Sequence, residues 1–276
     1  MNSSVEGFSL IELLVVMAMT VVLAASLLPA LAVPKEKTKM VQCMSNTRQL
    51  TLGWRMYAAD NREQLIPYTT WVGGIMDWTS NPDNTNTALL VGGGPGNLMA
   101  PYVKSPHIYK CPADHYQSPA NPGPRVRSYS LNGALGGGIM GPTVVGTSPG
   151  HRQYYGSSAS SFGLKTDADK MSDLRQPANV FVILDEQADS INDGAFMIDP
   201  GASPGAEKWR DLPASYHNDA GSLSFADGHS LIRLWLEQSG FNRTVYPVTY
   251  TSSHPWTTLN LVSRDYEWMD DHMPYR

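Results

Sequence analysis

The sequence is poor in cysteine and in clustered positive charge. Only Cys43 and Cys111 stand among its 276 residues, too few for the disulfide framework of a small secreted domain. An even pair in an exported domain still permits one disulfide, which would stabilise the fold by ~4 kcal/mol in the chain-entropy model. Two buried free thiols are the open alternative.

Basic residues form no block beyond Lys35, Lys37 and Lys39, and the formal net charge is -5. Nothing in this charge pattern suggests a nucleic-acid partner, and we expect none. The three lysines could touch acidic lipid headgroups, or they could be a solvated helix face.

One stretch almost lacks charge altogether. Residues 8–33 contain Glu12 as their single charged residue, and they exceed the ~20 apolar residues that a helix needs to cross a bilayer. A secretory signal peptide fits poorly, because residues 1–7 contain no Lys or Arg and the apolar run is too long for an h-region. A plain membrane anchor remains an alternative to any more specialised segment.

Gly7 precedes Phe8, Glu12 is the fifth residue counted from Phe8, and Pro29 is the twenty-second. This pattern resembles the class III signal of type IV pilins and type II secretion pseudopilins. The resemblance implies a leader at 1–7, which prepilin peptidase removes by cutting between Gly7 and Phe8, and methylation of the new Phe8 amine. It also implies a single-pass inner-membrane precursor in membrane lipid. An assembly platform would then build this precursor, with itself and other pilin-like subunits, into an extracytoplasmic filament.

Physical chemistry agrees with assembly roles for Glu12 and Pro29. Cleavage would leave a cationic Phe8 amine in an apolar environment, where an unpaired charge is strongly disfavoured. Glu12 of a neighbouring subunit could pair with it and set the register, since the attraction is larger there than in water. Pro29 lacks a backbone N–H, so we expect it to kink or locally melt the helix.

The leader departs from the usual charge pattern. It carries Glu6 and no basic residue, whereas the lysines follow the span, opposite to the positive-inside rule. We expect the true start codon to lie upstream, unless the recognition machinery overrides the charge bias.

Helical periodicity continues beyond the span. A buried stripe is predicted, with Lys39, Asn46, Arg48 and Gln49 lying off it. Asp60, Asn61 and Pro67 suit helix termination. These signals predict one long helix from 8 to about 62. The resemblance to pilins implies an α+β, pilin-like fold in which this helix packs its second half on an antiparallel sheet with long loops. The extracytoplasmic domain would cover 34–276. The stripe consists of Met40, Cys43, Met44, Thr47, Leu50, Trp54, Tyr57 and Ala58.

Three strand regions stand out downstream. Residues 180–184 are a short apolar run typical of a buried strand. Residues 223–226 and 230–235 flank Asp227-Gly228, a strong tight-turn signal, and therefore predict a hairpin. Residues 244–251 are interrupted by Pro247, which predicts an edge strand.

Nine residues separate His217 from Asp227-Gly228. This spacing resembles the C-terminal H-X9-DG segment that accompanies pilin-type N-termini in a large bacterial group. We expect His217 to be hydrogen-bonded across the hairpin rather than to be a catalytic base, because no nucleophile with an evident partner is near in sequence.

Four carboxylates crowd one segment, and like charges so close repel unless a cation or hydrogen bonds offset them. Several pseudopilins use calcium to lock a C-terminal loop, so a calcium site is one hypothesis, with Asp227 as a further ligand if the hairpin folds back. A solvated acidic turn is the alternative, because the spacing is not that of an EF-hand. The four are Asp185, Glu186, Asp189 and Asp193.

The leading hypothesis is a filament subunit of the type IV pilus or type II secretion pseudopilus kind, not an enzyme. A membrane-tethered module that binds carbohydrate or another polymer is the alternative, and exposed aromatics would favour it. An anchored hydrolase that uses His217 with an acid such as Asp227 would need a concave pocket enclosing both. The aromatic candidates are Trp71, Trp78, Tyr154, Tyr155 and Trp209.

Overall fold

A computed structural model gives the fold of the chain. It describes residues 9–94, 96–121, 123–136, 144–147, 153–155, 168–199, 208–238, 243–251, 257–258 and 263–274. At 24–34 only the backbone is described. The predicted leader and cleavage site, including Gly7 and Phe8, lie outside these residues.

The predicted long helix is confirmed as helix α1, Leu10–Asp60. Its first turn is closed by a capping box, in which Ser9 Oγ accepts from the Glu12 backbone N–H at 3.3 Å. The Glu12 carboxylate in turn accepts from the Ser9 backbone N–H at 2.9 Å, so both orphan donors are satisfied. The backbone stays helical through Pro29, and the expected local melting does not occur there.

Shorter elements follow α1. Three further α-helices are α2 (Tyr68–Trp71), α3 (Ala88–Val91) and α4 (Arg264–Asp271), and 3-10 turns lie at Pro82–Asn84, Pro106–Tyr109, Met171–Asp173 and Pro177–Asn179. The strands are β1 (Tyr129–Asn132), β2 (Val144–Thr147), β3 (Gln153–Tyr155), β4 (Phe181–Asp185), β5 (Ala195–Phe196), β6 (Ile198–Asp199), β7 (Lys208–Trp209), β8 (Ala220–Phe225), β9 (Ser230–Leu234) and β10 (Thr257–Thr258).

The main sheet has five strands in the order β5-β1-β4-β8-β9. Its neighbours are antiparallel except for the parallel pair β1 and β5. The predicted hairpin is confirmed as β8 and β9, with Ser224 opposite Ser230 and Gly228 at a φ of 99° in the turn. A three-stranded sheet (β10-β7-β6) and the β2-β3 hairpin complete the strands of the described residues. The chain is therefore α+β, with a mostly antiparallel sheet.

Helix α1 lies on the main sheet against β4, β8 and β9. Small residues of β8 let the helix approach closely, and hydroxyl pairs satisfy the polar groups at this contact. Thr47 Oγ1 lies 3.2 Å from Ser222 Oγ, and Thr51 Oγ1 lies 2.6 Å from Ser224 Oγ. These pairs fix the position of the helix along β8.

The helical stripe is confirmed in its main members and needs one correction. Cys43, Thr47, Leu50, Trp54 and Ala58 are buried, whereas Met40, Met44 and Tyr57 are partly buried. Asn46, expected off the stripe, is also buried. Its amide is satisfied there because Nδ2 donates to the Lys110 carbonyl at 3.1 Å.

The predicted edge strand at 244–251 is wrong, because these residues form no strand. The backbone N–H groups of Thr249 and Tyr250 instead donate to the Asp189 carboxylate, at 2.7 and 2.9 Å. Tyr250 has a φ of 61°, which is incompatible with an extended strand. The backbone N–H groups of Thr249 and Tyr250 therefore donate to a side chain instead of to a neighbouring strand.

Candidate functional site

The N-terminal part of α1 is an exposed apolar surface. Its large hydrophobic side chains between Leu10 and Leu23 have exposed fractions of 45 to 79%, on all sides of the helix. Glu12 is the only charged residue among them. A monomer that exposes so continuous an apolar surface requires a lipid or protein environment to cover it.

No helix of the described residues is both long enough and apolar enough to span a bilayer. The predicted span at 8–33 includes Phe8 and the side chains at 24–34, which lie outside the described part of the chain. The span therefore stays a prediction.

Four side chains from four separate segments meet beneath α1. Cys43 comes from the helix, Cys111 from the loop after the Pro106–Tyr109 turn, Asp185 from the end of β4, and His217 from the segment before β8. Each is at most 1% exposed. Their ligand atoms all lie within 4.8 Å of one another. We call these four residues the buried cluster.

The contacts within the buried cluster form a closed ring. Cys43 Sγ lies 3.3 Å from Cys111 Sγ and donates to Asp185 Oδ2 at 3.0 Å. His217 Nε2 lies 3.3 Å from Cys111 Sγ and 3.6 Å from Asp185 Oδ2. The two cysteines are free in the structure, so the disulfide stays a prediction, although the thiols are adjacent.

Two further groups contact the buried cluster from outside. Tyr129 OH lies 3.1 Å from Cys43 Sγ, and the Ser222 backbone N–H donates to Asp185 Oδ2 at 3.1 Å. Among the described residues, Asp185 Oδ1 and His217 Nδ1 have no hydrogen-bond partner. A buried polar atom without a partner lowers the stability of the fold by ~1 to 3 kcal/mol. The buried cluster is therefore locally destabilising in this arrangement.

The protonation states of the buried cluster are strongly perturbed. Burial raises the pKa of the Cys43 thiol well above its usual value, and the neighbouring Cys111 adds to the rise. Burial also acts to raise the pKa of Cys111, but hydrogen bonds with Cys43 and His217 outweigh burial and lower it. For His217, burial lowers the pKa, yet the Asp185 and Cys111 contacts prevail and raise it to about 10. These pKa directions favour the protonated forms of Cys43 and His217 and the thiolate form of Cys111.

The H-X9-DG residues occupy opposite ends of β8. His217 precedes the strand and is buried, whereas Asp227 follows it and is exposed. The six residues of β8 span ~20 Å at ~3.3 Å per residue, so Asp227 and His217 share no pocket. Asp227 Oδ1 instead accepts from the His229 backbone N–H at 3.0 Å, and its carbonyl accepts from Arg55. The hydrolase alternative therefore loses Asp227 as its acid. The His217 side chain contacts Cys111 and Asp185 instead of a group across the hairpin.

The four carboxylates proposed for calcium do not converge. Asp185 belongs to the buried cluster, while Glu186 accepts from Ser130 and from Ser190 at 2.7 Å. Burial raises the pKa of Glu186 to about 8, although these hydrogen bonds oppose the rise. Asp189 accepts from Trp78 Nε1 at 2.8 Å, besides residues 249–250. Asp193 caps the Ala195 backbone N–H at 3.0 Å.

The tryptophans proposed as an exposed binding surface are buried. Trp71 is 0% exposed, Trp78 is 8% exposed and Trp209 is 2% exposed. Each lies in or beside the core, because its large apolar area is more stable there than in water. The side chains of Tyr154 and Tyr155 lie outside the described part of the chain. The polymer-binding alternative thus loses three of its five candidate residues.

Sequence reasoning singled out every member of the buried cluster, and the disulfide hypothesis paired its two cysteines, but it did not bring all four residues together. Cys43 and Cys111 were proposed as a disulfide, Asp185 as a calcium ligand, and His217 as part of the H-X9-DG segment. No local pattern joins residues that are so distant in sequence. The inward position of Cys43 on the helical stripe was the one local signal that it faces the sheet.

A family model described as the prokaryotic N-terminal methylation motif matches residues 2–28. No curated protein and no solved structure matches the chain. The match covers Gly7, Phe8 and Glu12 and does not extend to the H-X9-DG segment. It supports a precursor of the pilin or pseudopilin type that prepilin peptidase processes.

Proposed function

We propose that this chain is a structural subunit of a filament of the type IV pilus or type II secretion pseudopilus kind. The observation that carries the proposal is the exposed apolar part of α1 between Leu10 and Leu23, which lies within the matched methylation motif. In the precursor, lipid would cover this surface. In the filament, the same surface on neighbouring subunits would cover it.

Because α1 is continuous, its two parts can have different roles in the same subunit. The helix runs without interruption from exposed apolar residues to residues buried against β8. Its first part is available for lipid or for other subunits, while its second part holds the folded domain. The subunit would be stored as a single-pass precursor of the inner membrane and would be extracytoplasmic after assembly.

The test is the mature N-terminus of the native protein, determined by mass spectrometry. We expect the chain to begin at Phe8 with a methylated amine. Gly7→Arg should accumulate as full-length precursor, because the peptidase pattern requires a small residue before the cut. Asn2→Arg adds the same charge to the leader without touching the cut, and it should be processed normally.

Two results would contradict the precursor assignment. One is a mature start downstream of Val33, which would mean removal of the whole apolar segment. The other is normal processing of Gly7→Arg together with Asn2→Arg. If the chain is processed but stays monomeric in cells that build filaments, the precursor assignment stands and the filament role fails.

A further inference from the structure

We propose that Cys43, Cys111, Asp185 and His217 bind one zinc ion in a closed tetrahedral site. The donor set is the first reason. Zinc in proteins is held by thiolate sulfur, imidazole nitrogen and carboxylate oxygen, usually by four such ligands in structural sites. The buried cluster offers two sulfurs, one nitrogen and one oxygen, and it is the one group of its kind among the described residues.

The distances also match a tetrahedron. With ~2.3 Å from zinc to sulfur and ~2.0 to 2.2 Å to nitrogen or oxygen, neighbouring ligand atoms lie roughly 3.3 to 3.8 Å apart. The four separations around the ring run from 3.0 to 3.6 Å, and all six lie within 4.8 Å. An ion at the centre therefore requires shifts of about half an ångström along the ring.

Charge and burial distinguish this group from a chance meeting of side chains. Two thiolates and a carboxylate around a divalent ion leave a net charge of about -1, which needs hydrogen-bond donors nearby. Tyr129 OH and the Ser222 backbone N–H are in position to supply them. All four ligands are buried, so a cation would offset the mutual repulsion of two thiolates and a carboxylate.

A structural role follows from the closed geometry. Catalytic zinc sites keep one position open for water or substrate, whereas four protein ligands with no exposed face leave none. The four ligands come from α1, the loop at Cys111, β4 and the segment before β8. The ion would join these segments at the contact between helix and sheet, and His217 of the H-X9-DG segment would serve as a ligand.

A disulfide between Cys43 and Cys111 is the competing use of the same sulfurs. It would require loss of two electrons and two protons to an oxidant, and a rotation that brings the sulfurs to ~2.05 Å. It would also leave the converging Asp185 and His217 without a function. The two uses are mutually exclusive, which makes the choice measurable.

The first experiment uses the full chain, isolated from its native cells in detergent without added metal. Elemental analysis and native mass spectrometry should show about one zinc ion per chain and no loss of thiol hydrogens. After zinc is exchanged for Co²⁺ under reducing conditions, the visible spectrum should show tetrahedral cobalt with a thiolate charge-transfer band. Because the chain has only two cysteines, that band can arise only from Cys43 and Cys111.

The second experiment compares two histidine variants. His217→Gln should bind zinc at least ~10-fold more weakly, since a ligand is lost. His229→Gln changes an exposed histidine at the other end of β8, and it should bind zinc as the wild type does. If His217→Gln fails to fold, X-ray absorption on the wild-type zinc protein replaces it, and two sulfurs with two lighter ligands are expected.

Three results would overturn the proposal. A native chain that carries the disulfide and no metal would do so. So would a reduced, folded chain that takes up neither Zn²⁺ nor Co²⁺. Undiminished zinc in His217→Gln, or a zinc absorption spectrum without sulfur ligands, would place any bound ion elsewhere.

Discussion

The Cys43 thiol of α1 donates a hydrogen bond of 3.0 Å to Asp185 at the end of β4. This contact joins the long helix to the centre of the main sheet through two side chains that are both fully buried. It places a carboxylate under the helix, where a solvent-exposed acid would be expected from sequence. The consequences for metal choice, stability and assembly can each be measured.

Metal choice is the first prediction. For the reduced, metal-depleted full chain, we expect added zinc to raise the melting temperature and added millimolar calcium to leave it unchanged. A ligand that binds only the folded state stabilises by ~4 kcal/mol at a thousandfold excess over its Kd. The calcium hypothesis requires oxygens that converge, and Glu186, Asp189 and Asp193 each have separate partners. A rise with calcium would restore that hypothesis.

Assembly should depend on the charge of Glu12, not on its capping role. The Glu12 carboxylate accepts from the Ser9 backbone N–H, and a Gln side chain could do the same. We therefore expect Glu12→Gln and Glu12→Val to insert into the membrane and to reduce filament yield alike, because both lack the charge that would pair with Phe8. The yield of sheared filaments, measured against total membrane protein, checks this. Normal filaments from Glu12→Gln alone would show that the cap is what matters.

Asp189→Asn should destabilise the folded domain by ~2 kcal/mol, because charge-assisted hydrogen bonds contribute ~1.5 to 3 kcal/mol each. The carboxylate accepts from Trp78 and from the backbone of Thr249 and Tyr250, and an amide nitrogen would face one of these donors. Asp193→Asn is the matched control, since Asp193 is exposed. Urea denaturation followed by tryptophan fluorescence measures both. Equal stability of the two variants would contradict this account of residues 249–250.

Gly136→Ala should lower the free energy of unfolding by more than Gly93→Ala does. Both glycines have positive φ values, of 82° and 75°. A Cβ at Gly136 would lie 2.6 Å from the Ile66 carbonyl oxygen, whereas a Cβ at Gly93 meets nothing within 4 Å. The left-handed conformation alone costs ~1 to 2 kcal/mol for a residue with a Cβ, so Gly93→Ala should lose about that amount. Gly136→Ala should lose measurably more in the same denaturation assay. Similar losses of stability in the two variants would mean that the backbone at Ile66 moves to make room for the new Cβ.

Local patterns predicted the framework of this fold. The helical stripe located Cys43, Leu50 and Trp54 in the core because burial of one helix face imposes a spacing of three or four residues. The Asp227-Gly228 pair located the hairpin because its turn needs positive φ. Both rules depend on neighbours in sequence, which is why they succeeded.

The buried cluster could not be predicted in the same way. Asp185 and Glu186 are adjacent in sequence and were assigned to one acidic site. Successive residues of an extended chain point to opposite sides, so Asp185 faces Cys43 while Glu186 faces Ser130. Which distant residues meet on each side depends on strand order, and no local pattern gives the strand order.

The 51 residues of α1 make a rod of about 76 Å at 1.5 Å per residue. Along this rod, Cys43 is the first fully buried side chain among those described. A pull on the N-terminal end would therefore meet its first fully buried side chain at Cys43. From there, load on the subunit would enter the sheet through the contacts of α1 with β4, β8 and β9, so the tensile strength of each subunit would depend on this packed part of the helix.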